Sequence, residues 1–234
     1  MESDLSAARG LEPHFSAHGG KRRRRKLLPR IEFSAGPLLH NASTTDTGGI
    51  INPLMPQRYG LVAYVTNPVG RFVETLRREL RPASPRAVAH LTILPPRLLH
   101  GSEAEALAAL REAGQHFNAF HVVLGEVTTF LPGTPTVFVG VGEGAEHMGT
   151  LHRSLNAGAL ASNETWPYIP HLTIVRMDTP AEALTVLPVV TSRWRGYEGT
   201  RSVHVTELAF VREEEDLTWV DLGHVPLSAS LAHR

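Results

Sequence analysis

The sequence predicts an α+β domain built as two related lobes around a central cleft. Three observations carry the prediction. Strand-like and helix-like stretches alternate from about residue 56 onward. A short apolar string, Ala89-His90-Leu91-Thr92-Ile93, returns eighty-one residues later as Pro170-His171-Leu172-Thr173-Ile174. The elements around the second copy loosely repeat the order of those around the first.

Composition narrows the classes. The 234 residues suffice for one domain or two small lobes, and no stretch approaches the length of a membrane span. With no cysteine, the chain has no disulfide framework, thiolate zinc site or cysteine nucleophile, and a reducing cytoplasm is the expected location. The formal net charge of zero hides an asymmetry. Through Arg58 there are nine basic against five acidic side chains, and beyond it fourteen against eighteen. The folded part is therefore not expected to be a general polyanion binder.

Residues 1–55 lack sustained periodicity and contain the run Lys21-Arg22-Arg23-Arg24-Arg25-Lys26. They read as a disordered basic tail, with a nucleic-acid tether as the less common use of such a run. No apolar core follows the charges, so the tail is not a secretory signal. Met55 directly precedes the first convincing strand and is an alternative start; Met1 retained in the intact mass of native protein would exclude it. Residues 56–234 are then the two-lobed domain.

Within that domain Tyr59 to Thr66 reads as a strand, β-branched and aromatic. Pro68 suits the first turn of a helix with Phe72, Val73, Leu76 and Leu80 on one face, stopped by Pro82 and Pro85. Ala87 to Leu94 is the first motif strand, with Val88, His90, Thr92 and Leu94 on one side and Ala87, Ala89, Leu91 and Ile93 buried on the other. Pro95-Pro96 is expected to end it. Ser102, followed by Glu103 and Glu105, caps a helix to about Asn118. Strands His121 to Phe130 and Thr136 to Val141 follow, joined by a turn at Leu131-Pro132-Gly133.

A helix from about Glu146 to Leu160 then leads through Trp166 to Pro170 into the second motif strand. After it come a Pro-interrupted helical segment near 180–194 and strands Val203 to Arg212 and Leu217 to Val225. The turn Glu213-Glu214-Glu215-Asp216 reads as a solvated hairpin tip; successive carboxylates on one turn rarely converge on a metal.

Residues i and i+2 of a strand project from the same face, so each motif sets one imidazole beside one hydroxyl. Two such strands facing each other would bring two acid/base groups and two hydroxyl donors to one point, an arrangement suited to a phosphate ester. Spacing alone proves little, because Val203-His204-Val205-Thr206 is a third His-x-Thr. The shared string His-Leu-Thr-Ile and its apolar setting separate His90 and His171 from His204, which is given no catalytic role.

The paired strings, the Tyr168-Ile169-Pro170-His171 lead-in, Phe130 before a Val-rich strand and Leu151-His152-x-x-Leu155 together resemble the two-histidine phosphoesterase superfamily. Within it, the likeness is to the 2'-5' RNA ligase and RNA 2',3'-cyclic phosphodiesterase family, over about Arg58 to Leu227. The resemblance implies a bilobal, pseudo-twofold fold with one motif per lobe at a central cleft, and no metal or other cofactor. It implies His90 and His171 as the catalytic pair acting on a 2',3'-cyclic phosphate end, with Thr92 and Thr173 donating to the phosphate oxygens. Hydrolysis to a 2'-phosphate is the expected direction, and ligation its reverse. Pro188, inside an expected helix, and the acidic domain depart from the pattern.

Arg97, Arg176 and Tyr168 are weaker candidates for substrate contact. Arg176 has the wrong strand parity to join His171, Tyr168 shares parity with buried Leu172, and His152 reads as a packed or partly exposed core histidine. Two rivals stay open: a phosphoesterase of the same layout for a small cyclic nucleotide (nucleoside or ADP-ribose), and a module that binds RNA 3' ends without turnover. A self-contained two-lobed domain makes a monomer the default.

Overall fold

The computed structural model describes residues 56–83, 88–214 and 218–229. The basic tail, the Met55 start and Glu215-Asp216 of the acidic turn lie outside them. The chain runs β1 (Arg58–Tyr64), α1 (Pro68–Leu80), β2 (His90–Arg97), α2 (Glu103–Gly114), β3 (Phe120–Thr129), β4 (Thr136–Val141), α3 (Ala145–Leu155), a 3-10 turn (Gly158–Leu160), β5 (His171–Arg176), α4 (Pro180–Arg195), β6 (Ser202–Val205), β7 (Glu207–Glu213) and β8 (Trp219–Pro226). Local chemistry accounts for the helix starts. Asn67 accepts from the Gly70 amide with Pro68 next to it, and Ser102 with Glu105 and Thr179 with Glu182 form reciprocal capping boxes. No helix among the described residues is long and apolar enough to cross a membrane.

All the ladders are antiparallel, in the order β6-β3-β4-β5-β2-β1-β7-β8. The motif strands β2 and β5 are the two central ones. On one side lie β1, β7 and β8; on the other, β4, β3 and β6. Each lobe therefore has four strands, but the lobes are not halves of the sequence: one combines the first strands of the chain with the last, and the other uses the middle. Val205 and Glu207 belong to strands six places apart in that order. Flat, they would be roughly 29 Å apart, whereas the chain between them spans about 7 Å at most. The sheet must curl until its ends meet, and the bridge between Asn118 and Ser228 marks where they do.

The four helices cover one face. Val73 and Leu76 of α1, Leu110 of α2, Met148 and Leu151 of α3, and Val190 and Trp194 of α4 share a continuous core with Leu91, Ile93, Leu172 and Ile174. Full burial of each such side chain contributes about 1.5–3 kcal/mol. The alternate residues of β2 and β5 are thereby held on the opposite, open face.

Three expectations are corrected. The stretch Val203 to Arg212 is not one strand: it breaks at Thr206, because β6 pairs with β3 and β7 with β1. Pro95-Pro96 does not end the motif strand, since the ladder to β1 steps from Leu94 directly to Arg97 and asks no amide of either proline. Helix α4 runs unbroken through Pro188. The amide lost there would have served the carbonyl of Leu184, a residue that is 58% exposed.

Candidate active site

The registers build the site. Leu91 is the cross-strand partner of Leu172. Antiparallel counting from that pair sets His90 opposite Thr173 and Thr92 opposite His171, all four on the open face. In a regular antiparallel ladder direct neighbours of this type have Cβ atoms about 4.5–5.5 Å apart, and diagonal ones such as His90 and His171 are about 7–8 Å apart. Beyond Leu91 and Leu172 the central strands share no further ladder pair.

The two motifs match in finer detail. Val62 pairs with Thr92 and Leu61 with Leu94; Phe138 pairs with Thr173 and Val137 with Val175. One extra residue, Ile93 or Ile174, is therefore bulged out of each ladder at the same point. The bulge explains the consecutive buried pairs Ile93-Leu94 and Ile174-Val175, and it corrects the side expected for Leu94. It also reverses the parity of Arg176, which falls opposite Thr136 on the face of His171 and is exposed.

Carbonyls left without a strand partner at the splayed seam are met by side chains, again at matching positions. The Tyr168 hydroxyl donates to Thr92 O at 2.7 Å, and His152 Nδ1 lies 2.8 Å from Ile93 O. On the other strand Arg77 Nη2 donates to Thr173 O at 2.9 Å and Nε to Ile174 O at 3.0 Å. One turn before Arg77 on α1, the Glu74 carboxylate accepts from the Ala89 amide at 2.9 Å, so the same helix holds both motif strands.

Both catalytic candidates have the same second partner. His90 Nδ1 is 2.7 Å from Val88 O, and His171 Nδ1 is 2.7 Å from Ile169 O. A carbonyl only accepts, so each Nδ1 carries the proton and each neutral ring presents Nε2 as a free base. Burial pushes the His90 pKa down to about 4; its Val88 hydrogen bond opposes this, while the charges of Arg77 and His171 add to it. Burial likewise lowers His171, against the Ile169 hydrogen bond.

Aromatic side chains wall the site. Trp219 of β8 meets the His90 ring with centroids 4.4 Å apart. Phe130 and Phe138 meet His171 edge-on at 4.8 and 5.1 Å. Tyr64, the ladder partner of His90, donates its hydroxyl to Asp221. Sequence reading missed Trp219, Phe138, Tyr64 and Arg77, because local parity cannot reveal which distant strand or helix adjoins a motif.

Two weaker candidates are placed elsewhere. Arg97 is 5% exposed, with Nε on Pro95 O, Nη1 on Asn156 and Leu160 O, and Nη2 on Glu164; these partners, not substrate, occupy its guanidinium. Tyr168 stacks on His152 with centroids 4.0 Å apart, in the packing role its parity suggested. His152 is buried, as expected, and His204 stacks on His121 on β3, away from the motif strands.

Comparison with known proteins places this arrangement. The sequence model of the 2'-5' RNA ligase superfamily matches residues 65–217. A candidate phosphoesterase of Oceanobacillus iheyensis is 27% identical over 122 residues, covering 51% of this chain and 70% of its own. Among solved structures, LigT of E. coli complexed with ATP superimposes with a TM-score of 0.52 at 18% identity, over 74% of this chain and 99% of LigT. Its complex with NADP+ gives 0.51 at 19%, over 74% and 98%. At those identities the structural likeness concerns the fold.

Proposed function

The chain belongs to the 2'-5' RNA ligase superfamily of two-histidine phosphoesterases, and from that premise we propose that it hydrolyses RNA 2',3'-cyclic phosphate ends to 2'-phosphates. The observation that carries this reading is the interlocked square of His90, Thr173, Thr92 and His171, with both imidazoles held through Nδ1 by a backbone carbonyl so that Nε2 is the basic nitrogen of each.

In the proposed reaction the anionic substrate raises the proton affinity of the imidazoles, and one of them enters the reaction as imidazolium. The neutral ring takes a proton from water as the water oxygen bonds to phosphorus. The bond from phosphorus to the 3' oxygen breaks, and the imidazolium protonates that leaving oxygen. Thr92 and Thr173 donate to the non-bridging oxygens as their charge grows. Two rings are required, since one cannot be acid and base at once. With the hydroxyl of a second RNA end in place of the water, the same groups would open the cyclic phosphate, the hydroxyl oxygen bonding to phosphorus as the bond to the 3' oxygen breaks, to give a 2'-5' linkage, and no step calls for a metal. Arg176, on the same face, is suited to a neighbouring phosphate.

The test is turnover of nucleoside 2',3'-cyclic phosphates and of a short RNA with that terminus, in EDTA, beside His90→Ala and His171→Ala. Release of a 2'-phosphate, with a loss of about 10² or more in either variant, supports the reading. RNA binding without turnover overturns it in favour of a binding module.

A second reading, a small cyclic nucleotide as substrate, is favoured by one observation. The open face of β1, β7 and β8 carries Glu207, Glu213 and Asp221 against Arg58, a poor path for a long polyanion. A shallow dependence of KM on salt would select this reading, and a steep one the RNA.

A further inference from the structure

We propose that Tyr168 is a positioning residue for the reaction: it sets the distance between Thr92 of one lobe and His171 of the other. The inference rests on the catalytic reading of those two residues. Thr92 stands opposite His171 across the seam, yet no ladder pair beyond Leu91 and Leu172 holds the two strands at that spacing. Tyr168 supplies the missing tie. It lies three residues before His171 in the chain, and its hydroxyl donates to the carbonyl of Thr92 itself at 2.7 Å.

Tyr168 is in turn fixed from behind. Its ring lies flat on that of His152, 4.0 Å away and 4° from parallel. His152 donates through Nδ1 to Ile93 O and faces Glu164 Oε2 through Nε2 at 3.0 Å. The other oxygen of Glu164 takes Arg97 Nη2, and Arg97 holds Asn156 and Leu160 O. The relay thus runs from the segment entering β5, across α3, to the far end of β2. A hydroxyl that stabilises a transition state must sit within a fraction of an ångström of its target, and a misplacement of about 1 Å costs about 10²-fold in rate. Arg77 makes the matching tie on the other strand, but through its own helix; Tyr168 alone among these donors is in the segment that ends at a motif histidine.

The experiment is a double-mutant cycle on the full chain with a nucleoside 2',3'-cyclic phosphate. Tyr168→Phe should lower kcat about tenfold with KM within about twofold, and should have no further effect when placed on Thr92→Val. Glu164→Gln, which loosens the relay from its far end, should show a smaller kcat loss that also vanishes on Thr92→Val; it serves if Tyr168→Phe does not fold. If Tyr168→Phe, or Glu164→Gln in its place, costs the same factor in both backgrounds, its role is general packing and the inference falls. If Thr92→Val leaves turnover unchanged, the catalytic reading falls and takes this inference with it.

Discussion

Leu91 and Leu172 face each other across the central seam, and this one pair of buried leucines sets the geometry of the site. Their side chains point into the core, so their neighbours on both strands point out. A slip by one residue on either strand would put a leucine in the cleft and a histidine in the core.

Thr92 and Thr173 are expected to act through hydrogen bonds that strengthen in the transition state. Thr92→Val and Thr173→Val should each lower kcat by about 10²-fold, whereas the Ser variants keep most of it. Steady-state kinetics on a cyclic mononucleotide checks this; a Val variant with only KM raised contradicts it.

Both imidazoles are neutral at pH 7 in the free protein, because burial lowers them, His90 to about 4. One imidazolium is required, so kcat/KM should rise as the pH falls from 8 and peak on the acidic side of pH 6.5. A group whose folded pKa is lowered keeps its proton longer in the unfolded chain. Its stabilisation is whole above pH 6.5 and is lost between pH 6.5 and about 4. Histidine NMR titration and urea melts across that window test both statements, and a His90 resonance titrating above 6.5 would refute them.

Arg77 fastens the carbonyls of Thr173 and Ile174. Arg77→Met leaves both without that donor, and unfolding in urea should show a loss of about 2–4 kcal/mol. A change below about 0.5 kcal/mol would mean that water or a shifted strand replaces it.

Gly70, in the first turn of α1, has no room for a side chain: a Cβ there would overlap the carbonyl of Val65. Gly70→Ala normally favours a helix, yet here the melting temperature should fall, because α1 must move off the strand that leads to it. An unchanged melting temperature would show that the approach relaxes freely.

Much of this was legible in the sequence. The helix faces of Val73-Leu76 and Met148-Leu151-Leu155, the cap at Ser102 and the two motif strands follow from local periodicity and capping chemistry, which depend on residues within one or two turns of each other. The strand break at Thr206 was not legible, since Val203 to Arg212 is uniformly strand-like and only the curl of the sheet divides it. Arg97 and Arg176, each shortly after a motif, looked like equivalents. The matching bulges alone would leave both on the open face; a second register shift, between Leu94 and Arg97, turns Arg97 into the interior against Glu164, while Arg176 stays on the open face.

The sequence by itself determined the chemistry on offer: two imidazoles and two hydroxyls, each pair on one face of a strand whose other face must be buried. Only the tertiary structure decided that the pairs interlock, that Val88 and Ile169 fix both tautomers, and that Tyr168, His152 and Arg77 hold the splayed strands. The division has a physical cause. Side-chain alternation along a strand is local, whereas the register between the two motif strands depends on contacts between residues eighty-one positions apart, and one bulged residue reverses every face that follows it.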